Sequence, residues 1–364
     1  RSSAASDVYK RQGKDGKLKV TRKNDWTEGF YPGCLWYVYE YTNKEDWKKA
    51  AIKWTESLEP LKKMTNHHDI GFLMYCSFGN AYRLTGNEAY KDVLVESARS
   101  LCTRFNEKTG CIKSWNYRKS WNGKDEWFYP VIIDNMMNLE LLYFATKVTG
   151  DSVYAKVANR HAETTAKNQF REDYSNYHVV NYDAETGEVL NQATCQGFSD
   201  NSAWARGQAW AIYGYTMAYR ETHRQDFLDM AVHTADFWLN HPNLPEDGIP
   251  YWDFNAGQED YVPDWNYDPE IFKVIPRDAS AAAIVASAFL ELSGYVTDGK
   301  KYSAAAAHIL KSLSSPAYLA EPGTNCNFIL MHSVGSIPHG EEIDVPLIYA
   351  DYYYLEALMR YKNM

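Results

Sequence analysis

The feature that most constrains this chain is a repeated unit: a nearly all-apolar helical run, a short punctuation, then an amphipathic run. The punctuation recurs five times, as TNKEDW (42–47), TGNEAY (85–90), TGDSVY (149–154), THRQDF (222–227) and TDGKKY (297–302). Around it the spacing predicts helix pairs over 33–41 and 45–58, 70–84 and 89–105, 135–148 and 152–168, 205–220 and 225–240, and 280–293 and 300–313, with a sixth run over 346–362. The first helix of a pair, as in GFLMYCSFGNAYRL or DASAAAIVASAFLEL, is small, apolar and aromatic on nearly every face, which marks a buried helix. The second, as in KDVLVESARSLCTRF, carries one apolar stripe and so faces water. A unit that cannot bury its apolar face alone stacks on its neighbours. About six such units predict an all-α fold, an (α/α)6 barrel or six-hairpin toroid, with long loops and a small β-hairpin at one end. No Pro/Gly/Ser-rich linker divides it, so 18–364 reads as one domain. The polar opening RSSAASDVYKRQGKDGK starts on Arg and reads as a disordered or non-native leader over 1–17.

The long inserts 111–129, 170–199 and 246–276 all precede inner helices. If the helices alternate in direction, the inserts share one end of the barrel. YHVVNYDAETGEVL (177–190) reads as the small hairpin, around a turn at 183–187. HSVGSIPHG (332–340) falls at the same end, where Ser333 and Ser336 can donate to a sugar; Gly335, Pro338 and Gly340 more simply mark a turn. Two inner helices open there on an aspartate, Asp69 in HHDIGF and Asp134 in VIIDNMMNL. Taken singly, each is a favoured N-cap worth ~1 kcal/mol, with its charge stabilised by the helix dipole. If the two converge, like-charge repulsion raises the pKa of one. One proton donor and one ionised partner is the division of labour of glycosidases.

GFSDNSAWARGQAW (197–210) is the most distinctive stretch. Within a helix Trp204 and Arg206, two residues apart, point in different directions. They converge only if the helix starts between them. Arg206 offers a fixed fork of donors to a carboxylate or sulfate, and Trp204 and Trp210 offer faces to a sugar ring. The plainer alternative pairs Arg206 with a neighbouring Asp and puts the tryptophans in the core. His178 and Gln196 carry no role by spacing alone. His67 and His68 are adjacent and poorly placed to share a metal. With no HExxH, CxxC or acidic calcium loop, no metal is expected, and without GxSxG or GxGxxG neither an α/β-hydrolase nor a Rossmann domain.

Composition narrows the partners. A net charge of −9 and no basic run argue against nucleic acid. An anionic substrate would need a local basic pocket to hold it against that field. No apolar run approaches the ~20 residues that span a membrane. The 12 Trp and 29 Tyr exceed the needs of a core and suit carbohydrate, although for most single rings core packing is the simpler account. The six cysteines read as buried thiols; this fits a reducing compartment without excluding the periplasm, so the location is left as bacterial cytoplasm or periplasm. A monomer or dimer is expected.

Seven segments in order, WTEGFYPG (26–33), HHDIGF, IDNMMNLELL, the hairpin with His178, CQGFSDNSAWARGQAW, RDASAAA (277–283) and VPLIYADYYYLEAL, together resemble the unsaturated glucuronyl hydrolases of glycoside hydrolase family 88. The resemblance implies a bacterial (α/α)6 enzyme that needs no cofactor. It would act on lyase-generated glycosaminoglycan disaccharides with a 4,5-unsaturated uronic acid at the non-reducing end. Asp134 matches the general acid/base that protonates C4 and helps activate the water adding at C5. Asp69 matches the second carboxylate, assisting through substrate hydroxyls. Trp26, His68, His178, Gln196, Trp204, Arg206 and Trp210 match pocket positions, with Arg206 a partner for the uronate carboxylate. Where some members place a sulfate-contacting lysine after a Ser-x-x-Ser element, this chain has Pro338 and His339. Three other readings compete: an unsaturated rhamnogalacturonyl hydrolase acting on pectin fragments, a non-catalytic sugar-binding toroid, and an isomerase or epimerase using histidine pairs.

Overall fold

The computed structural model describes residues 10–12, 18–20, 24–120, 122–268, 270 and 272–364. Most of the leader expected over 1–17 lies outside them; within it, Lys10–Gln12 pairs antiparallel with Leu18–Val20. Eleven helices follow the predicted pairs. They are α1 (Phe30–Thr42) and α2 (Glu45–Glu56), the composite α3 (Ile70–Met74, Tyr75–Gly79 and Asn80–Thr85) and α4 (Glu88–Cys102), and α5 (Leu139–Thr149) and α6 (Val153–Asn168). Then come α7 (Ala205–Thr222) and α8 (Gln225–Asn240), α9 (Ala279–Leu292) and α10 (Lys300–Leu313), and finally α11 (Ile348–Lys362). The odd-numbered helices pack in order around the axis, and α11 closes back on α1. Even-numbered helices lie outside, and the ring is the expected (α/α)6 barrel.

The punctuation has a physical cause. Thr42, Thr85, Thr149 and Thr222 end four inner helices, and each hydroxyl donates to the carbonyl four residues back, at 2.6–2.7 Å. The next residue, Asn43, Gly86, Gly150 or His223, turns left-handed, with φ between 53° and 75°. Its N–H closes onto the carbonyl of Tyr39, Tyr82, Thr146 or Tyr219, which caps the helix and reverses the chain. TDGKKY is the exception. There α9 has already ended at Leu292, and Thr297 lies in the turn before α10.

Two predicted helices are less regular than their patterns. A π turn over Tyr75–Gly79 interrupts α3. It re-phases the helix, so that Phe72 meets Trp210 of α7 at 5.2 Å while Phe78 meets Tyr90 of α4 at 5.5 Å. The helix expected from 135 begins instead as 3-10 turns over Ile133–Asn138. The hairpin is present as Val179–Tyr182 and Val189–Ala193, and Gly187, at φ 83°, donates to Asp183 at its turn. A third strand that the pattern did not reveal, Pro130–Ile132, pairs on its other edge.

Away from this sheet, the inner helices are tied by Glu356 of α11. Its carboxylate accepts from Tyr37 of α1 (3.2 Å), Tyr213 of α7 (2.9 Å), Ser287 of α9 (2.9 Å) and Arg360 (3.3 Å). The same half of the lumen holds a cavity of about 960 Å³ whose walls include Arg83, Glu140, Arg220, Glu291 and Glu356. Removing one partner of such a buried network leaves a charge without its counterpart. Glu356→Ala is therefore expected to destabilise the fold by about 3–5 kcal/mol, read from urea unfolding. A loss under about 1 kcal/mol, the level of a surface pair, would show that the network does not hold the ring.

Candidate active site

The small sheet brings His178 to Asp134. Ile132 pairs with Val179, and the Ile133 N–H donates to the His178 carbonyl at 3.1 Å. The residues just beyond that register therefore lie side by side, with His178 Nε2 3.6 Å from Asp134 Oδ2. The other hairpin strand fixes the ring. Val179 pairs with Ala193, so the following Cys195 and Gln196 N–H groups both reach His178 Nδ1 at 3.1 Å. A ring nitrogen that accepts holds no proton, so neutral His178 carries its hydrogen on Nε2, facing Asp134. The ring lies 4.4 Å from Trp204 and edge-on to Trp115 at 6.2 Å. Burial, and then the Arg206 charge, holds its pKa well below the usual value.

Asp134 sits in the first 3-10 turn and is 7% exposed. Its carboxyl is pushed up to about 7. Burial is the main cause; Arg206 pulls the other way and Asp69 adds a like-charge push. The repulsion expected from the sequence thus contributes, but desolvation is the larger effect. Nor does capping decide the charge of Asp69. It stands at the N-cap of α3, yet its side chain makes no capping bond. Its oxygens face His68 Nε2 at 3.3 Å and His67 Nδ1 at 3.2 Å. Burial would raise its pKa, but His68, His67 and Arg104 outweigh burial and set it below the ordinary carboxylate value. Asn138 orients His68: its Oδ1 accepts from Phe72 N at 2.9 Å, and its Nδ2 lies 3.5 Å from His68 Nδ1. Burial above all pushes His68 down to about 4. His68 and His178 are thus both neutral near pH 7.

The start of α7 falls where convergence requires it, with Trp204 at the N-cap and Arg206 in the first turn. The guanidinium lies 4.4 Å over the Trp204 ring. Both terminal nitrogens are occupied by the protein: by Asp278 Oδ2 (3.2 Å), Gln196 Oε1 (2.5 Å), the Gly335 carbonyl (2.8 Å) and the Val334 carbonyl. Asp278 is thus already a carboxylate partner of Arg206, which is the pairing of the plainer alternative. Trp26 and Trp210 both pack on Phe72, at 5.6 and 5.2 Å, and belong to an aromatic floor. Ser333 is fully buried and its backbone pairs with Val345. Ser336 lies at the rim, its hydroxyl 2.6 Å from His339 Nδ1.

Four contributors escaped the sequence reading: Arg104 behind Asp69, Asn138 behind His68, Asp278 behind Arg206, and Arg118 over Trp115. Asp278 alone left a signal, since D-A-S ahead of an apolar run is a capping pattern. Its Oδ1 does accept from Ser280 N at 3.0 Å.

The glycosyl hydrolase family 88 model matches residues 3–243. An unsaturated glucuronyl hydrolase of Formosa agariphila is 50% identical over 347 residues, covering 95% of this chain and 82% of that protein. The crystal structure of an unsaturated glucuronyl hydrolase specific for heparin superposes with a TM-score of 0.91 at 46% identity, covering 100% of this chain and 92% of that one. A variant of the Streptococcus agalactiae unsaturated glucuronyl hydrolase, complexed with dGlcA-GalNAc6S, superposes at 0.79 with 32% identity, covering 99% and 87%. Fold and site therefore define a glycosidase built on an (α/α)6 barrel. The chain belongs to glycosyl hydrolase family 88.

The protonated carboxyl has a cost to stability. Folded, Asp134 keeps its proton to about pH 7; unfolded, it releases it near pH ~4. Between those values the native state binds the extra proton, so stability falls as pH rises through the window. Asp134→Asn has no charge to bury. It is expected to gain on the order of a few kcal/mol over the wild type at pH 8 relative to pH 4, in paired urea titrations. An advantage that does not change with pH would refute the raised pKa.

Proposed function

We propose that this chain removes the 4,5-unsaturated uronic acid from the non-reducing end of lyase-generated glycosaminoglycan disaccharides, by hydrating the C4–C5 double bond. The observation that carries the reading is a carboxyl kept protonated to about 7 by burial, opposite one held ionised. Protonating carbon near neutrality requires an acid that still has its proton. Asp134 gives that proton to C4, and the cation forming at C5 is stabilised by the ring oxygen. Water adds at C5 and returns a proton to Asp134. The resulting hemiketal opens to a ketone, and the hemiacetal exposed at C1 releases the second sugar. Asp69 stays ionised and accepts from substrate hydroxyls. His178, through Nε2–H, and Gln196 orient the uronate, with His68 supporting Asp69. Trp26, Trp204 and Trp210 supply apolar walls, and Ser336 reaches the second sugar. Arg206 acts by holding these groups in place, and Ser333 by its backbone.

The double bond is conjugated to the uronate carboxylate and absorbs in the ultraviolet, so hydration erases the absorbance. Disaccharides from chondroitin, heparin and pectin should be tried in parallel. Loss with the glycosaminoglycan products is expected, and no loss with any would overturn the reading. Asp134→Asn is expected to lower kcat by ~10²–10⁴, the usual contribution of a general acid or base. A folded variant with wild-type kcat would remove Asp134 from the role.

The pH profile gives a second check. The proton on Asp134 is lost above about pH 7, so kcat/KM should fall roughly tenfold per pH unit beyond it. The acid limb belongs to Asp69 and should lie below the ordinary carboxylate range, because its pKa is lowered. An alkaline limb that Asp134→Asn leaves in place would belong to another group.

A further inference from the structure

The proposed substrate is an anion, and the chain, at net −9, repels it. A local cation must offset that field. Arg206 is committed to Asp278. Arg104 is buried and donates to the Lys113 and Thr65 carbonyls and to Asn116. Arg118 is placed differently. It lies on the short hairpin Arg118–Lys119 and Glu126–Trp127 of the 111–129 insert, partly exposed. Its guanidinium rests 4.6 Å over the Trp115 ring, and Trp115 meets His178 edge-on. One indole therefore separates this cation from the histidine that faces Asp134. Among the described residues no carboxylate pairs with it.

Among the described residues its side chain bonds to a neutral ring. Arg118 Nη2 donates to His339 Nε2 at 3.0 Å, so His339 carries its hydrogen on Nδ1 and donates to the Ser336 hydroxyl at 2.6 Å. Burial, then Arg118, lowers the His339 pKa. Ser336 accepts and keeps its own hydrogen to give. The contact joins the insert to the 332–340 loop and leaves a cation at one end and a hydroxyl donor at the other. Facing Asp134, where C4 of the uronate must lie in the proposed reaction, is the neutral His178. Arg118 stands one ring further out from Asp134 than His178 does.

We propose that Arg118, backed by His339 and Ser336, receives an anionic substituent, a sulfate ester or a carboxylate, on the sugar beyond the bond that breaks, and so sets which disaccharides the chain prefers. A guanidinium offers two parallel donors to either group. The proposal rests on the functional reading above.

The test is Arg118→Gln, with unsaturated disaccharides whose second sugar carries a sulfate, a carboxylate or neither. The expected result is a drop of about tenfold or more in kcat/KM for one or both anionic substrates relative to the neutral one, mainly through KM. Which of the two loses the preference identifies the anion. Ser336→Ala and His339→Ala should move the same ratio less. Lys119→Gln removes the same charge from the next residue of the strand, whose side chain faces the other way, and should leave the ratio alone. An equal loss on all three substrates, an unchanged ratio, or an equal effect of Lys119→Gln would overturn the proposal. Calorimetric binding of the same disaccharides to Asp134→Asn, with and without Arg118→Gln, gives the ratio without turnover. A wild-type chain that hydrated nothing would sink the functional reading, and the binding ratio would still decide Arg118.

Discussion

Arg206 is the point at which the site end of the barrel is held. A buried guanidinium must have a counter-charge and acceptors, because an unpaired charge away from water is very costly. It takes them from segments far apart in sequence: Asp278 at the start of α9, Gln196 at the exit of the hairpin, and Val334 and Gly335 in the loop before α11. That loop contains left-handed residues other than glycine, His332, Glu342 and Asp344 at φ 60°, 53° and 55°. Such conformations persist only where surrounding contacts impose them. Arg206 grips the middle of the loop, and Asp351 grips its approach through the Ile329 and Leu330 N–H groups. Arg206 also lowers the pKa of His178 and moderates that of Asp134.

The two aspartates begin from equivalent positions and end with opposite protonation. Both stand at the start of an inner helix, and neither makes the cap that its position suggests. Asp134 meets a histidine whose Nδ1 is held by two backbone N–H groups; burial then decides its state. Asp69 meets two histidines and, further off, Arg104, and these outweigh the same burial. A neutral His178 helps keep the difference intact: protonated, it would add a positive charge beside Asp134 and draw its pKa back down.

The helix pairs were legible because their signal is local: the period of the apolar face, and a Thr whose hydroxyl bonds back before a left-handed turn. The start of α7 was legible too, since Trp204 and Arg206 can meet only across a helix N-terminus. The hairpin followed from its turn residues. What sequence could not show is set by contacts between distant segments. Pro130–Ile132 is a strand only because Val179–Tyr182 lies beside it, and the 3-10 entry to α5 follows from that pairing. Arg206 was visible as a fork of donors, but not that Asp278, 72 residues on, already fills it. A like-charge push between the aspartates was expected from the sequence, while the dominance of burial over that push depends on packing that no spacing reveals.

The punctuation also explains why the chemistry gathers at one end. A helix that ends in a left-handed residue reverses at once, so the links 43–44, 86–87, 150–152 and 223–224 are two or three residues long. Such links have no room to build a site. The connections back from outer to inner helices, 57–69, 103–132, 169–204, 241–278 and 314–347, carry most of the additional chain, the link 293–299 between α9 and α10 being the exception at the other end. They contribute His67, His68, Asp69, Trp115, Arg118, His178, Gln196, Trp204, Asp278 and Ser336. Loops on a rigid ring can vary while the ring stays fixed. The short end, with Glu356 joining four helices, keeps the ring closed; the long end is free to be shaped by its substrate. Asp134 lies at the long end, where ring and loops meet, on a turn fixed by a strand and buried by its surroundings.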